Sequence, residues 1–219
     1  MGEQLVGLAN GSRQSVPRDV AEVLGAAGVT RLLQLMVDAY RDLRSRQCVT
    51  ANSSENSITE EWFVHIQQRW RQTPAISLIP FHQKEDATKA KARGGVPTID
   101  FCFRSYFDRE SYFGAECKLL DEGNATHLRA YLDSKEGIGR FLDGRYGANT
   151  GVGAMVGYVR SGVCEKVAET LSDRIPRLEG EPNLGKSHTL KNFDQLYETQ
   201  HKRQCPVADF LCYHFLFGF

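Results

Sequence analysis

An aspartate at position 100 and a Glu-x-Lys triplet at 116–118 stand inside two apolar segments, P-T-I-D-F-C-F and Y-F-G-A-E-C-K-L-L. Charges in the interior of a strand are costly unless they are paired or ligated. Strand alternation places Thr98, Asp100 and Cys102 on one face, opposite Ile99, Phe101 and Phe103. In the second segment Glu116, Lys118 and Leu120 lie together, opposite Ala115, Cys117 and Leu119. A turn centred near Asp108 and Arg109 pairs residues whose numbers sum to about 216–218, which sets Asp100 opposite Glu116 or Lys118. Two carboxylates a few ångströms apart repel unless a cation sits between them. Oxygen ligands without histidine suit Mg²⁺ or Mn²⁺ better than Zn²⁺. A lysine beside them can orient or deprotonate a water, or stabilise charge that develops on a phosphate. The set suits metal-assisted phosphodiester hydrolysis. The plainer alternative is a surface ion pair between Lys118 and either acid, on a sheet face open to water.

P-T-I-D followed at this spacing by E-C-K resembles the PD-(D/E)XK nuclease superfamily, the restriction-endonuclease-like fold. The resemblance covers roughly residues 53–160 and implies an αβββαβ core: a mixed central sheet flanked by helices. It further implies that Asp100 and Glu116 bind metal, that the Cys117 carbonyl adds a ligand, and that Lys118 is the catalytic lysine. A motif-I acid is expected on the preceding helix. Glu55 is the choice, because E-N-S-I-T ahead of an amphipathic helix resembles the family pattern, with Glu60 and Glu61 as competitors. P-T-I-D departs from the compact P-D by two residues inserted before the acid. The resemblance extends to small nucleases of bacterial anti-phage defence. It therefore implies a Mg²⁺- or Mn²⁺-dependent endonuclease acting on DNA, or on RNA, within a defence system. A homodimer or a partner protein is expected, since a double-strand cut needs two sites. The rival reading is a non-catalytic nucleic-acid- or protein-binding subunit that keeps the fold.

These residues need elements to hold them. Residues 1–16 read as a frayed polar start. Val20, Val23 and Leu24 form one short helical stripe, and Val29, Leu32, Leu33, Leu35, Met36 and Tyr40 another. Residues 1–52 are thus expected as a helical extension ahead of an α/β nuclease domain at 53–219. The next helix starts near Glu55 or Ser57 and runs to about Arg71, with capping-box spacing at Ser57 and Glu60. Ile58, Trp62, Ile66 and Trp70 mark its buried face, and a first turn containing Glu55 aims that acid along the same face. A-I-S-L-I-P-F at 75–81 predicts a strand, followed by a charged connection carrying Lys84, Lys89, Lys91 and Arg93 that could grip a nucleic-acid strand. Tyr131, Lys135, Arg140 and Arg145 populate one helix or a broken pair after the hairpin, where Arg140 and Arg145 could reach phosphates. A buried strand, G-A-M-V-G-Y-V, a further amphipathic helix from Val163 and an apolar C-terminal strand complete a mixed α/β order.

The remaining features narrow the reading. The chain of 219 residues has a formal net charge of zero, which argues against nucleic-acid binding by bulk charge and leaves room for a local basic groove. Six scattered cysteines without C-x-x-C, and no apolar run long enough to span a membrane, predict a reducing cytoplasmic setting with no membrane partner. The glycines around 147–157 match neither phosphate-loop pattern and precede a strand, so they read as turn and core glycines. His201, Cys205, Cys212 and His214 offer four zinc-type side chains at spacings of no common zinc module, and core residues are the better account. His201, Lys202 and Arg203 alternatively form a small basic patch.

Overall fold

The computed structural model describes residues 26–73, 75–85, 98–106, 110–133 and 135–219. Residues 1–16, the stripe of Val20, Val23 and Leu24, the loop residues Lys89, Lys91 and Arg93, and the turn at Asp108 and Arg109 lie outside them.

A seven-stranded mixed sheet carries helices on both faces. In chain order the elements are α1 (Ala26–Arg46), α2 (Glu55–Arg71), β1 (Ile79–Glu85), β2 (Thr98–Arg104), β3 (Tyr112–Leu119), α3 (Ala125–Leu132), the one-turn α4 (Gly139–Leu142), β4 (Val152–Val159), α5 (Cys164–Arg174), β5 (Gly185–Lys186), β6 (Leu196–Lys202) and β7 (Asp209–Gly218). The spatial strand order is β1-β2-β3-β4-β7-β6-β5. β1, β2 and β3 form an antiparallel meander, β3, β4 and β7 run parallel, and β6 and β5 return antiparallel. The α/β class expected above holds, and the chain adds β5 and β6 to the expected strands.

One core lies under α1 and α2, where Leu32, Leu33, Met36, Trp62 and Ile66 meet Phe101, Phe113, Val156, Phe215 and Phe217. The other lies under α3, α4 and α5, where Tyr131, Phe141, Val167 and Leu171 meet Tyr112, Met155, Cys212 and Leu216. α1 is stitched to the sheet and not appended to it: the Trp62 indole donates to the Met36 carbonyl at 3.1 Å, and Tyr40 stacks on Phe217 while its hydroxyl donates to the Gly218 carbonyl. β4 is buried along its whole length, and Gly157 lets it pass Leu120, whose Cδ2 would stand 2.7 Å from an added Cβ.

Of the two starts expected for α2, Glu55 and Ser57, the helix takes Glu55: its cap is Ser54, whose side chain accepts from the Ser57 amide at 3.2 Å. Three other expectations need correction. The first strand is 79–85 and not 75–81. Ile76 and Leu78 are buried from irregular backbone, and the strand continues through polar residues because it is a sheet edge, where Pro80 costs no ladder bond. Ile99 packs with Cys102 and Tyr112, away from Phe101 and Phe103, at the point where the ladder to β3 has ended while that to β1 continues. Arg203 and His201 are buried, so they form no surface patch with Lys202. Arg203 satisfies its guanidinium on the carbonyls of Phe141, Gly147, Thr150 and Val207 and so ties the α4–β4 connection to the end of β6.

Candidate active site

The candidate site forms where the β2–β3 hairpin forks. Pairing runs from Arg104↔Tyr112 to Phe101↔Ala115 and stops, which leaves Asp100 level with Glu116. On its other edge β3 stays paired to β4 through Leu119. The edge amides of Cys117 and Leu119 on the β2 side must therefore find acceptors other than a strand. Two acids supply them. Asp100 Oδ2 accepts from the Cys117 amide at 2.6 Å, and Glu55 Oε2 accepts from the Leu119 amide at 2.9 Å. Glu55 reaches this edge because the Ser54 cap puts it at the first position of α2.

Lys118 turns its ammonium into the fork. Its Nζ lies 2.9 Å from Glu116 Oε1, 2.9 Å from the Cys117 carbonyl oxygen and 3.4 Å from Glu55 Oε1. Glu116 is 2 % exposed and its Oε2 has no hydrogen-bond partner among the described residues. Burial, reinforced by the neighbouring charge of Asp100, pushes the Glu116 carboxyl up to about 8 against the opposing pull of Lys118 and Arg140. Burial likewise raises Asp100, with Lys118 and the Cys117 amide opposing. For Lys118 burial works against the charge, yet Glu116, Asp100 and Glu55 together outweigh it and hold the ammonium firmly protonated. Three carboxyl groups therefore act on one ammonium, with the Arg140 guanidinium 3.6 Å from Glu116.

That donor set is the test for a divalent cation. A buried Glu116 raised by the charge of Asp100, an orphaned carboxylate oxygen and a free-edge carbonyl are hard oxygen donors of the kind Mg²⁺ and Mn²⁺ take. The residues fit such an ion. Among the described residues no three His, Cys, Asp or Glu side chains stand close enough to hold one as they are; Lys118 stands between Glu55 and Glu116.

The helical segment after β3 supplies further groups. Arg140 on α4 places a guanidinium nitrogen 3.6 Å from Glu116 Oε1, bonds the Tyr146 hydroxyl, and donates from Nε to the Lys135 carbonyl at 2.7 Å. Arg145 donates to the same Lys135 carbonyl at 3.1 Å and pairs with Asp143. Two guanidinium groups thus gather on one oxygen at the rim of the site. Tyr146, which sequence reasoning passed over, donates to the Thr98 carbonyl at 2.7 Å and so braces β2 two residues before Asp100. Its only signal is an aromatic residue between Arg145 and Gly147. The turn that delivers α4 depends on Gly137, where an added Cβ would lie 2.0 Å from the Tyr131 carbonyl.

Other candidates stand elsewhere. Glu60 and Glu61 are exposed on α2. The Cys117 side chain is buried on the opposite face, and only its carbonyl turns to the site. Tyr131 is fully buried, with its hydroxyl 2.9 Å from His214 Nδ1. His214 Nε2 and His201 Nε2 lie 2.8 and 2.7 Å from the Thr199 hydroxyl, so the two imidazoles meet across a threonine. Cys205 Sγ donates to the Val207 carbonyl. No helix among the described residues is long and apolar enough to cross a membrane. No protein-family model, curated protein or solved structure matches the chain.

Proposed function

We propose that the chain is a divalent-metal-dependent nuclease of the restriction-endonuclease-like class that hydrolyses phosphodiester bonds in DNA. One observation carries the reading: Asp100, Glu116, Lys118 and Glu55, drawn from two strands and a helix start, converge with a backbone carbonyl at one unpaired stretch of strand edge. The order α2-β1-β2-β3-α3/α4-β4, with an antiparallel meander joined in parallel to β4, supports the reading, because it follows the αβββαβ order that the resemblance implies.

In this reading Asp100, Glu116 and the Cys117 carbonyl hold Mg²⁺ or Mn²⁺, with Glu55 at the rim. A bound ion of this kind supplies Lewis-acid stabilisation of a phosphate and a more acidic bound water. Lys118 positions the attacking water or neutralises charge that develops on the phosphate. Arg140 and Arg145 hold phosphate oxygens of the strand, as paired guanidinium groups do. A surface salt bridge would not explain why Glu116 is buried with an oxygen that has no partner among the described residues.

The test incubates wild type and Lys118→Ala with plasmid, linear DNA and RNA in Mg²⁺, Mn²⁺ or EDTA. Wild type is expected to cut in the presence of metal, and the variant to lose at least about a hundredfold in rate, the scale of one general acid–base or charge-stabilising group. Cutting that survives EDTA, or equal rates for the two proteins, would sink the reading.

A further inference from the structure

Lys118 is bound to the oxygen atoms that a metal would need. Glu116 Oε1 and the Cys117 carbonyl each lie 2.9 Å from its ammonium, and Glu55 Oε1 lies 3.4 Å away. The lysine is 14 % exposed and its stem is fixed by the strand, so the contact is built into the fold and is no surface encounter. A catalytic lysine reaching for water or phosphate would be expected to point out of the acid cluster, whereas this one points into it. A second observation marks the same place: Glu116 Oε2, on a side chain 2 % exposed, has no partner among the described residues.

We propose that the Lys118 ammonium is a resident placeholder cation, and that it must leave Glu116 and the Cys117 carbonyl before a divalent ion can bind between Glu116 and Asp100. The inference rests on the metal-site reading above and adds a coupling to it. One residue serves two states, holding the acids together without metal and being released toward the substrate side with it. The lysine is freed for chemistry only where metal has already arrived, so loading and arming of the site become one event. Apparent metal affinity is then reduced by the fraction of molecules in which the lysine has withdrawn. An at least tenfold gain in affinity on removing the lysine corresponds to a withdrawn fraction of at most about one in ten.

The experiment measures Mn²⁺ binding to the full chain by calorimetry and by the loss of free-ion electron-spin resonance, without substrate. Lys118→Met keeps the stem volume and removes the competing charge; it is expected to bind Mn²⁺ at least tenfold more tightly than wild type. Arg140→Met removes a positive charge 3.6 Å from the same Glu116 oxygen without vacating the pocket, and is expected to stay within about threefold of wild type. A purely through-space charge effect would tighten both variants alike and would overturn the proposal, as would equal affinity of Lys118→Met and wild type. Wild type gives a second readout that needs no variant. Acetylation of Lys118, mapped by mass spectrometry, is expected to speed up severalfold at saturating Mn²⁺; an unchanged or slower rate overturns the displacement. Failure of the underlying reading looks different. In that case neither wild type nor Lys118→Met binds Mn²⁺ at millimolar concentration, and Glu116→Gln behaves as they do.

Discussion

At the scale of single residues, Glu116 is the group with most at stake. Its carboxyl, pushed from 4.5 to about 8 by burial and by Asp100, holds a proton in the folded protein at neutral pH that the unfolded chain has released. Stability contributed by such a group is present at low pH and lost as pH rises from the unfolded value toward the folded one. At pH 7 the cost amounts to about 3 kcal/mol. Glu116→Gln keeps the shape and removes the ionisation, so urea unfolding at pH 7 in EDTA should show the variant more stable by up to about 3 kcal/mol. The same variant should lose Mn²⁺ binding. A variant less stable than wild type would mean that the Lys118 contact outweighs the burial. The opposition of stability and ligation at one carboxylate is what a site built for a cation should show. Its sequence signal, an acid and a lysine two apart in an apolar strand, was legible. The orphaned Oε2 was not, because it depends on how far Arg140 and Lys118 reach.

At the scale of elements, local rules carried some of the structure and missed the rest for identifiable reasons. The hairpin register was readable from the turn and from alternation, and the pairs Phe101↔Ala115 and Arg104↔Tyr112 fall within it. The fork was not, since it arises where β2 stops pairing with β3 and side-chain acids replace that ladder; the change of core at Ile99 was not legible either. Of the two starts read for α2 the earlier holds, capped by Ser54, and Glu55 in that first turn accepts from the Leu119 amide of β3. β6 had no apolar alternation strong enough to announce it, as Gln200 and Lys202 are exposed along it. What holds β6 is polar: Thr199 and His201 join His214 of β7 and Tyr131 of α3 in one buried chain. Burial lowers His201 to about 4 and His214 to about 3, so both stay neutral where the unfolded chain protonates. Stability from these groups is complete above the unfolded value of 6.5 and falls as pH drops below it toward the folded values. Each histidine should cost about 2 kcal/mol by pH 5. Imidazole NMR should show neither ring titrating between pH 7.5 and 5; a midpoint near 6.5 for either would contradict the tie.

At the scale of the whole molecule, the boundary read at residue 52 divides a sequence pattern but not a core. α1 contributes Leu32, Leu33, Leu35, Met36, Val37 and Leu43, each at most 4 % exposed, to the cluster that also holds Trp62 and Phe217. Full burial of each side chain is worth about 1.5–3 kcal/mol, so their sum rivals the entire net stability of a domain, about 5–15 kcal/mol. α1 also covers α2, joined by the two-pronged contact of Arg69 with Asp42 at 2.5 and 2.6 Å, and α2 is the element that presents Glu55. Support for the site therefore runs from the Leu32–Met36 stripe through Trp62 to the start of α2 and on to the amide of Leu119. Removing residues 1–52 should give a chain without a cooperative thermal transition, binding a hydrophobic dye and no Mn²⁺. A point change is the gentler probe: Tyr40→Ala removes the Phe217 stack and the Gly218 hydrogen bond, and should cost about 3–5 kcal/mol in urea unfolding, the range for a large aromatic truncation. If the truncated chain melts cooperatively and still binds metal, the helical segment is an accessory, and the sheet with α2 to α5 is sufficient to hold the fork on its own.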